Sequence, residues 1–337
     1  MGRKSQNFST SGPTFLTAVD WSNSHHRRSV AACLVQGVYT LEEDRRRGRA
    51  GPDALAPPWW HSFNFLPIQI LVDNHDLSIY GAVFEFTNYP YHNHEAAPTA
   101  QRPPRYMIAF RGTILKPGNR KQDLKLDFHL WLNDHKNSTR FHTGLETVSQ
   151  VIQYGHTWLA GHSLGSSLAL AIGREMAKCH GIHIETYLFN PPFITLPIEW
   201  IKSKTVKFGL RIISSAITAG VAAIAGAGAG SREMDSFTAL PAWVPYLFVS
   251  RSDPISSEYA GYFKHRGDME AIGAGGIERV ATENALGSIF SSCEALHLLP
   301  SAYLSINGSA AGFREAHGIS QWWRHELELE YKYYLHN

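Results

Sequence analysis

Apolar and polar positions along the chain alternate between a period of two and a period near 3.6, and the alternation divides it into strands and helices. Two β-type runs, at 77–86 and 105–110, flank a proline- and histidine-rich loop over 88–104 and predict neighbouring strands of one sheet. The region 122–158 carries a helical pattern, after which Thr157-Trp158-Leu159-Ala160 is a short apolar run that stops at Gly161. Beyond Gly165, Leu168, Leu170, Ala171, Ile172, Met176 and Ala177 recur at helical spacing, predicting a buried helix that ends near Gly181. Further strands are expected at 184–189, 244–249 and 302–306, and a helix around 321–324. Strands alternating with helices predict an α/β fold with a mainly parallel, doubly wound sheet.

The first 60 residues are polar and irregular apart from 28–41, which reads as a peripheral helix ending near Gly37. In the mixed-charge run over 42–49, acids and arginines neutralise one another, as expected of a solvated loop or helix end. The stretch 212–230 contains no charged residue and is rich in Ala and Gly. Its composition suits a cap or membrane-surface segment, or equally a plain buried helix with a flexible tail, better than a membrane span. The 337 residues therefore divide into an N-terminal extension (1–70) packed on one α/β domain (71–337), with an Ala/Gly-rich insertion at about 205–235.

Composition narrows the partners. A formal charge of +2 supplies no field for nucleic acid, and 44% hydrophobic against 18% charged residues supplies material for a large core. Cys33, Cys179 and Cys293 are few, odd in number and far apart, which fits neither a disulfide framework nor a zinc site. They point to an intracellular, cytoplasmic setting, as does the absence of an apolar stretch after Met1 that could serve as a secretory signal. His92-Asn93-His94-Glu95 has metal-capable side chains but no further ligands nearby, so no metal is expected.

Gly161-His162-Ser163-Leu164-Gly165 matches G-x-S-x-G between a predicted strand and a predicted helix. That context makes it a nucleophile elbow: the glycines permit a sharp turn, Ser163 is lifted from the sheet edge, and the Leu164 N–H faces a developing oxyanion. The chain here resembles the class 3 (fungal-type) lipases of the α/β-hydrolase superfamily, in a plant-like branch. Four motifs carry the resemblance in the family's order: Ile108-Ala109-Phe110-Arg111-Gly112-Thr113, Phe141-His142-Thr143-Gly144-Leu145, the serine pentapeptide, and Ser250-Arg251-Ser252-Asp253-Pro254.

In that superfamily an acid and then a histidine follow the serine. Asp253 lies just beyond a predicted strand, as Asp235 and Asp268 do not. His317 precedes the predicted final helix, where the resembling lipases carry their histidine. His297 is its rival at the start of an apolar run, and His265, between Lys264 and Arg266, reads as surface. The resemblance assigns the second oxyanion donor to Thr113, while Arg111 is free to pair with Asp123 or Asp127. The expectation is a serine hydrolase of lipid or small carboxylic esters, needing no metal or cofactor, with lipid-surface contact through 212–230. The alternatives are an acyltransferase using the same triad and a silent hydrolase fold that binds a lipid or protein.

Overall fold

In the computed structural model of the chain, residues 6–88, 102–114, 138–193, 240–271, 299–309, 311–325 and 327–335 are described. The loop His92-Asn93-His94-Glu95, the uncharged stretch 212–230, Asp123, Asp127, Asp235, Cys293 and His297 lie outside them.

Among the described residues eight strands form one sheet: β1 (Phe65–Val72), β2 (Ile79–Phe86), β3 (Tyr106–Phe110), β4 (Thr157–His162), β5 (Glu185–Phe189), β6 (Tyr246–Ser250), β7 (Ala302–Asn307) and β8 (Leu329–Tyr334). Strands β3 to β7 run parallel, while β1, β2 and β8 extend the two edges in antiparallel pairs. Side chains alternate across the sheet as the period of two requires. Tyr106, Ile108 and Phe110 of β3 join Leu159 and Leu188 in one core cluster, while Met107 and Ala109 join Trp158, Tyr187 and Phe189 in the other.

The strands lie in the order of the sequence, with no reversal, which corrects the doubly wound expectation. Right-handed crossovers between sequential neighbours return on the same side. Helices α2 (Thr139–Val151) and α3 (Leu164–His180) accordingly share one face. The other face is covered by α1 (Ser24–Arg47) and the 3₁₀ turn Ile319–Trp323.

Helix α1 is therefore not the peripheral element expected from its polar surroundings. Val30, Leu34, Val35 and Val38 are fully buried against the sheet. Each such side chain contributes about 1.5–3 kcal/mol, so the four together rival the ~5–15 kcal/mol net stability of a whole domain. The helix also runs through Gly37, because Trp59 and Trp60 pack on that position, where a Cβ would meet the Trp60 ring at 3.1 Å. It ends at Gly48, whose φ of 63° allows its N–H to close on the Asp44 and Arg45 carbonyls.

The mixed-charge run splits by burial. Arg45, Arg46 and Arg47 reach solvent, while Glu42 is wholly buried. Its carboxylate accepts from Arg45, Arg46 and the Ile79 N–H, the last joining α1 to β2. Burial pushes its pKa up, but hydrogen bonds from Arg45, Ile79 and Arg46 outweigh burial and hold it at about 2, below the ordinary 4.5. A depressed folded-state pKa gives stability that is full above 4.5 and is lost as pH falls towards about 2. Glu42→Ala is expected to cost about 3 kcal/mol at neutral pH. Urea unfolding should show this gap between variant and wild type shrinking below about pH 4; a gap of unchanged size would contradict the linkage.

Candidate active site

Ser163 sits at the junction of β4 and α3 with φ 56° and ψ −127°, a strained backbone for a residue with a side chain. The crossing of strand end and helix start is close. A Cβ on Gly161 would lie 2.2 Å from the Gly165 carbonyl oxygen, and one on Gly165 would lie 2.4 Å from that of Phe110. The turn is held by the Ser163 N–H donating to the Phe189 carbonyl at 2.9 Å and by the Ser166 hydroxyl donating to the Ser163 carbonyl at 2.6 Å. Leu164 is the first residue of α3, so its N–H has no intrahelical acceptor.

His317 caps the single-turn helix Phe313–Ala316 and is buried beside Ser163. Its Nε2 lies 2.9 Å from the Ser163 Oγ, and its Nδ1 lies 3.0 Å from the Asp253 Oδ2. A carboxylate only accepts, so Nδ1 carries the proton, leaving Nε2 as the acceptor for the serine hydroxyl. Asp253 follows β6 and is fully buried. Besides His317 it accepts from Ser256 Oγ at 2.6 Å, Asn190 Nδ2 at 2.8 Å and the Ile255 N–H at 3.1 Å. Burial raises its pKa, but His317 and the bonds from Ser256 and Ile255 together lower it below the ordinary carboxylate value.

Gly112 follows β3 and abuts the elbow: a Cβ there would lie 2.8 Å from the Ser163 Cβ and 2.8 Å from the Tyr39 hydroxyl. Thr113 is thus carried to the neighbourhood of Ser163 by a residue that must be small. The Arg111 guanidinium turns away, donating to the Ile79 and Gly112 carbonyls.

Two of the competitors are among the described residues. Asp268 lies on α4 (Glu258–Ala271), and His265, expected at the surface, is buried on the same helix.

Sequence reasoning missed the supporting residues. Asn190 donates to Asp253 and to the Ala316 carbonyl, while its own carbonyl accepts from Trp322 Nε1 at 2.7 Å. Gln321 donates to the Ala316 and Gly318 carbonyls, bracketing His317. A second relay begins in α1. The Gly112 N–H donates to the Tyr39 hydroxyl at 2.7 Å, which donates to His162 Nδ1 at 2.9 Å, and His162 Nε2 donates to the His317 carbonyl at 2.7 Å. Burial, then the charge of His317, pushes His162 down to about 3, so it is neutral and keeps this tautomer at working pH. Burial likewise raises the Tyr39 phenol well above its ordinary range. Only the identity of His162, inside the pentapeptide, was a signal in the sequence.

Chemically, the arrangement provides a hydroxyl facing an imidazole acceptor that is oriented by a buried carboxylate, beside a helix N-terminus. No family model matches the chain, and no solved structure matches it. A protein of Arabidopsis thaliana described as a GDSL esterase/lipase is 43% identical over 341 residues, spanning 97% of each chain. That is a plant lipase family, and its name is not that of the class 3 lipases the four motifs resemble. With identity of this level over nearly its whole length, the chain belongs to the family of that GDSL esterase/lipase and is a carboxylic ester hydrolase.

Proposed function

We propose that the chain hydrolyses lipid esters through an acyl-enzyme on Ser163. The observation that carries this reading is the unbroken hydrogen-bonded sequence Ser163 Oγ, His317 Nε2, His317 Nδ1, Asp253 Oδ2. Ser163 attacks the ester carbonyl as His317 takes its proton. The imidazolium, held by Asp253, then returns the proton to the departing alcohol. Water attacks the acyl-enzyme by the same route in reverse. The Leu164 and Thr113 N–H groups receive the oxyanion.

We also place the site in the class 3 lipase pattern on an α/β-hydrolase fold. The tetrapeptide Gly-Asp-Ser-Leu that the relative's name spells does not occur in this chain, where the serine stands in Gly161-His162-Ser163-Leu164-Gly165. The order Ser163, Asp253, His317 and the strand–turn–helix setting support the same assignment. The stretch 212–230 is proposed as the lipid-contacting segment.

The test is a fluorophosphonate probe. Wild-type protein should be labelled at Ser163 by peptide mapping, and Ser163→Ala should not be labelled. Label on another residue, or a folded wild type that resists the probe, would overturn the assignment.

The relay from α1 adds a smaller expectation. Tyr39→Phe removes the hydroxyl between the Gly112 N–H and His162 Nδ1, leaving two buried polar groups unpaired. It should lower stability by about 2 kcal/mol and kcat by about tenfold with little change in KM. Steady-state kinetics on a soluble nitrophenyl ester separates the two parameters; a change confined to KM would place Tyr39 in substrate binding instead.

A further inference from the structure

Away from the serine site, a cavity of about 390 Å³ lies between the N-terminal half of α1 and strands β5 to β8, within the size range of small-molecule sites. Its lining includes Arg27, Arg28 and Lys332 together with Tyr246, Tyr303 and Tyr331, and among the described residues no carboxylate lines it, although Lys332 pairs with Glu330 at 2.9 Å. Tyr246 begins β6 and Tyr303 stands near the start of β7, whereas Ser163 and Asp253 follow the other ends of their strands. The two sites therefore belong to different edges of the sheet.

The two arginines are adjacent in sequence but not alike in company. Arg27 has a counter-ion, with Nη1 3.6 Å from Glu185, and its Nη2 donates to the Tyr246 hydroxyl at 3.0 Å. Arg28 is 3% exposed and has only neutral partners: its Nε donates to the Trp322 carbonyl at 2.8 Å, and its Nη1 reaches the Tyr331 hydroxyl at 3.5 Å. Among the described residues no Asp or Glu forms an ion pair with it. A buried guanidinium without a counter-ion is costly, and one beside an open cavity has room for an external anion. The field adds to this, because these arginines stand at the start of a 24-residue helix whose first turn holds no acidic residue. Burial lowers the Arg28 pKa, and only the Tyr331 phenol opposes that.

The walls describe the rest of the ligand. Tyr246 and Tyr303 stack with ring centroids 5.0 Å apart, and Tyr303 and Tyr333 with theirs 4.4 Å apart, forming an aromatic row across β6, β7 and β8. Tyr303 and Tyr331 are exposed at the rim. We propose that this cavity is a second binding site for a small aromatic oxyanion, a carboxylate or phosphate on a ring, whose charge pairs with Arg28 and whose body lies against the tyrosine row. A planar guanidinium offers two parallel N–H donors to either oxyanion.

Calorimetric titration of the full chain with benzoate, phenyl phosphate, inorganic phosphate and benzyl alcohol tests it. Benzoate or phenyl phosphate should bind saturably with Kd below about 1 mM, inorganic phosphate and benzyl alcohol at least about tenfold more weakly. Ser163→Ala should bind within about twofold of wild type, and Arg28→Gln should lose about tenfold or more. Should Arg28→Gln fail to fold, Lys332→Gln at the rim should weaken binding about threefold, and Tyr331→Phe about twofold. No saturable binding to wild type, equal affinity for benzyl alcohol, or loss of binding in Ser163→Ala would overturn the proposal. Affinity unmoved by both Arg28→Gln and Lys332→Gln would do the same.

Discussion

His317→Ala is expected to lower kcat/KM for a soluble carboxylic ester by about 10⁵-fold, the largest loss of any substitution short of Ser163 itself. The hydroxyl of Ser163 is a weak nucleophile at its own pKa, and His317 Nε2, at 2.9 Å, is placed to take its proton. Without the imidazole both proton transfers fall to water, leaving only binding and the oxyanion donors to assist the reaction. His297→Ala supplies the control, because the rival histidine should leave kcat/KM within about twofold of wild type. A loss under about a hundredfold for His317→Ala, or a larger loss for His297→Ala, would remove His317 from the role of base.

Asp253→Asn should follow with a fall of about 10⁴-fold in kcat and a nearly unchanged KM. The isosteric amide keeps the shape of the pocket but replaces an acceptor with a group that also donates. Facing an NH₂ group, His317 Nδ1 becomes the acceptor, and the proton moves to Nε2. Nε2 then donates to the Ser163 Oγ and can no longer take its proton, and the imidazolium of the transition state loses its buried counter-charge. Asp253 already accepts from Ser256, Asn190 and the Ile255 N–H, so these donors also lose a charged partner. Stopped-flow or steady-state rates on a nitrophenyl ester are sufficient, and a fall under about a hundredfold would show that orientation by Asp253 is not limiting.

How much of this site could be read beforehand followed from sequence distance. The elbow is local: Gly161, Ser163 and Gly165 are neighbours, and the steric demand that selects them acts within five residues, so pattern and structure coincide. The strands at β2, β3, β4, β5, β6 and β7 were legible for the same reason, since their alternation or apolar runs record burial directly. Strand β8 was not, because its sequence, Leu329-Glu330-Tyr331-Lys332-Tyr333-Tyr334, is polar and half exposed, as an edge strand can be. Helix α1 misled through its ends: His25, His26 and the run of arginines at 45–47 are polar, while the sixteen buried positions between and among them include Arg28 and Glu42. Burial of such charged side chains hid the helix from a reading based on charge.

By itself the sequence determined the α/β alternation, the serine and its turn, and a short set of acids and histidines that could serve it, because each rests on contacts between residues near in the chain. Only the tertiary structure decided the rest. It brought His317 to Ser163 across 154 positions and Asp253 to His317 across 64. It set Tyr39 beneath the elbow, gave Asn190 and Ser256 to Asp253, and left Arg28 buried with no carboxylate partner among the described residues. Hydrogen-bond partners so distant leave no periodic trace in a single chain, since their pairing is imposed by strand order and packing rather than by local conformation.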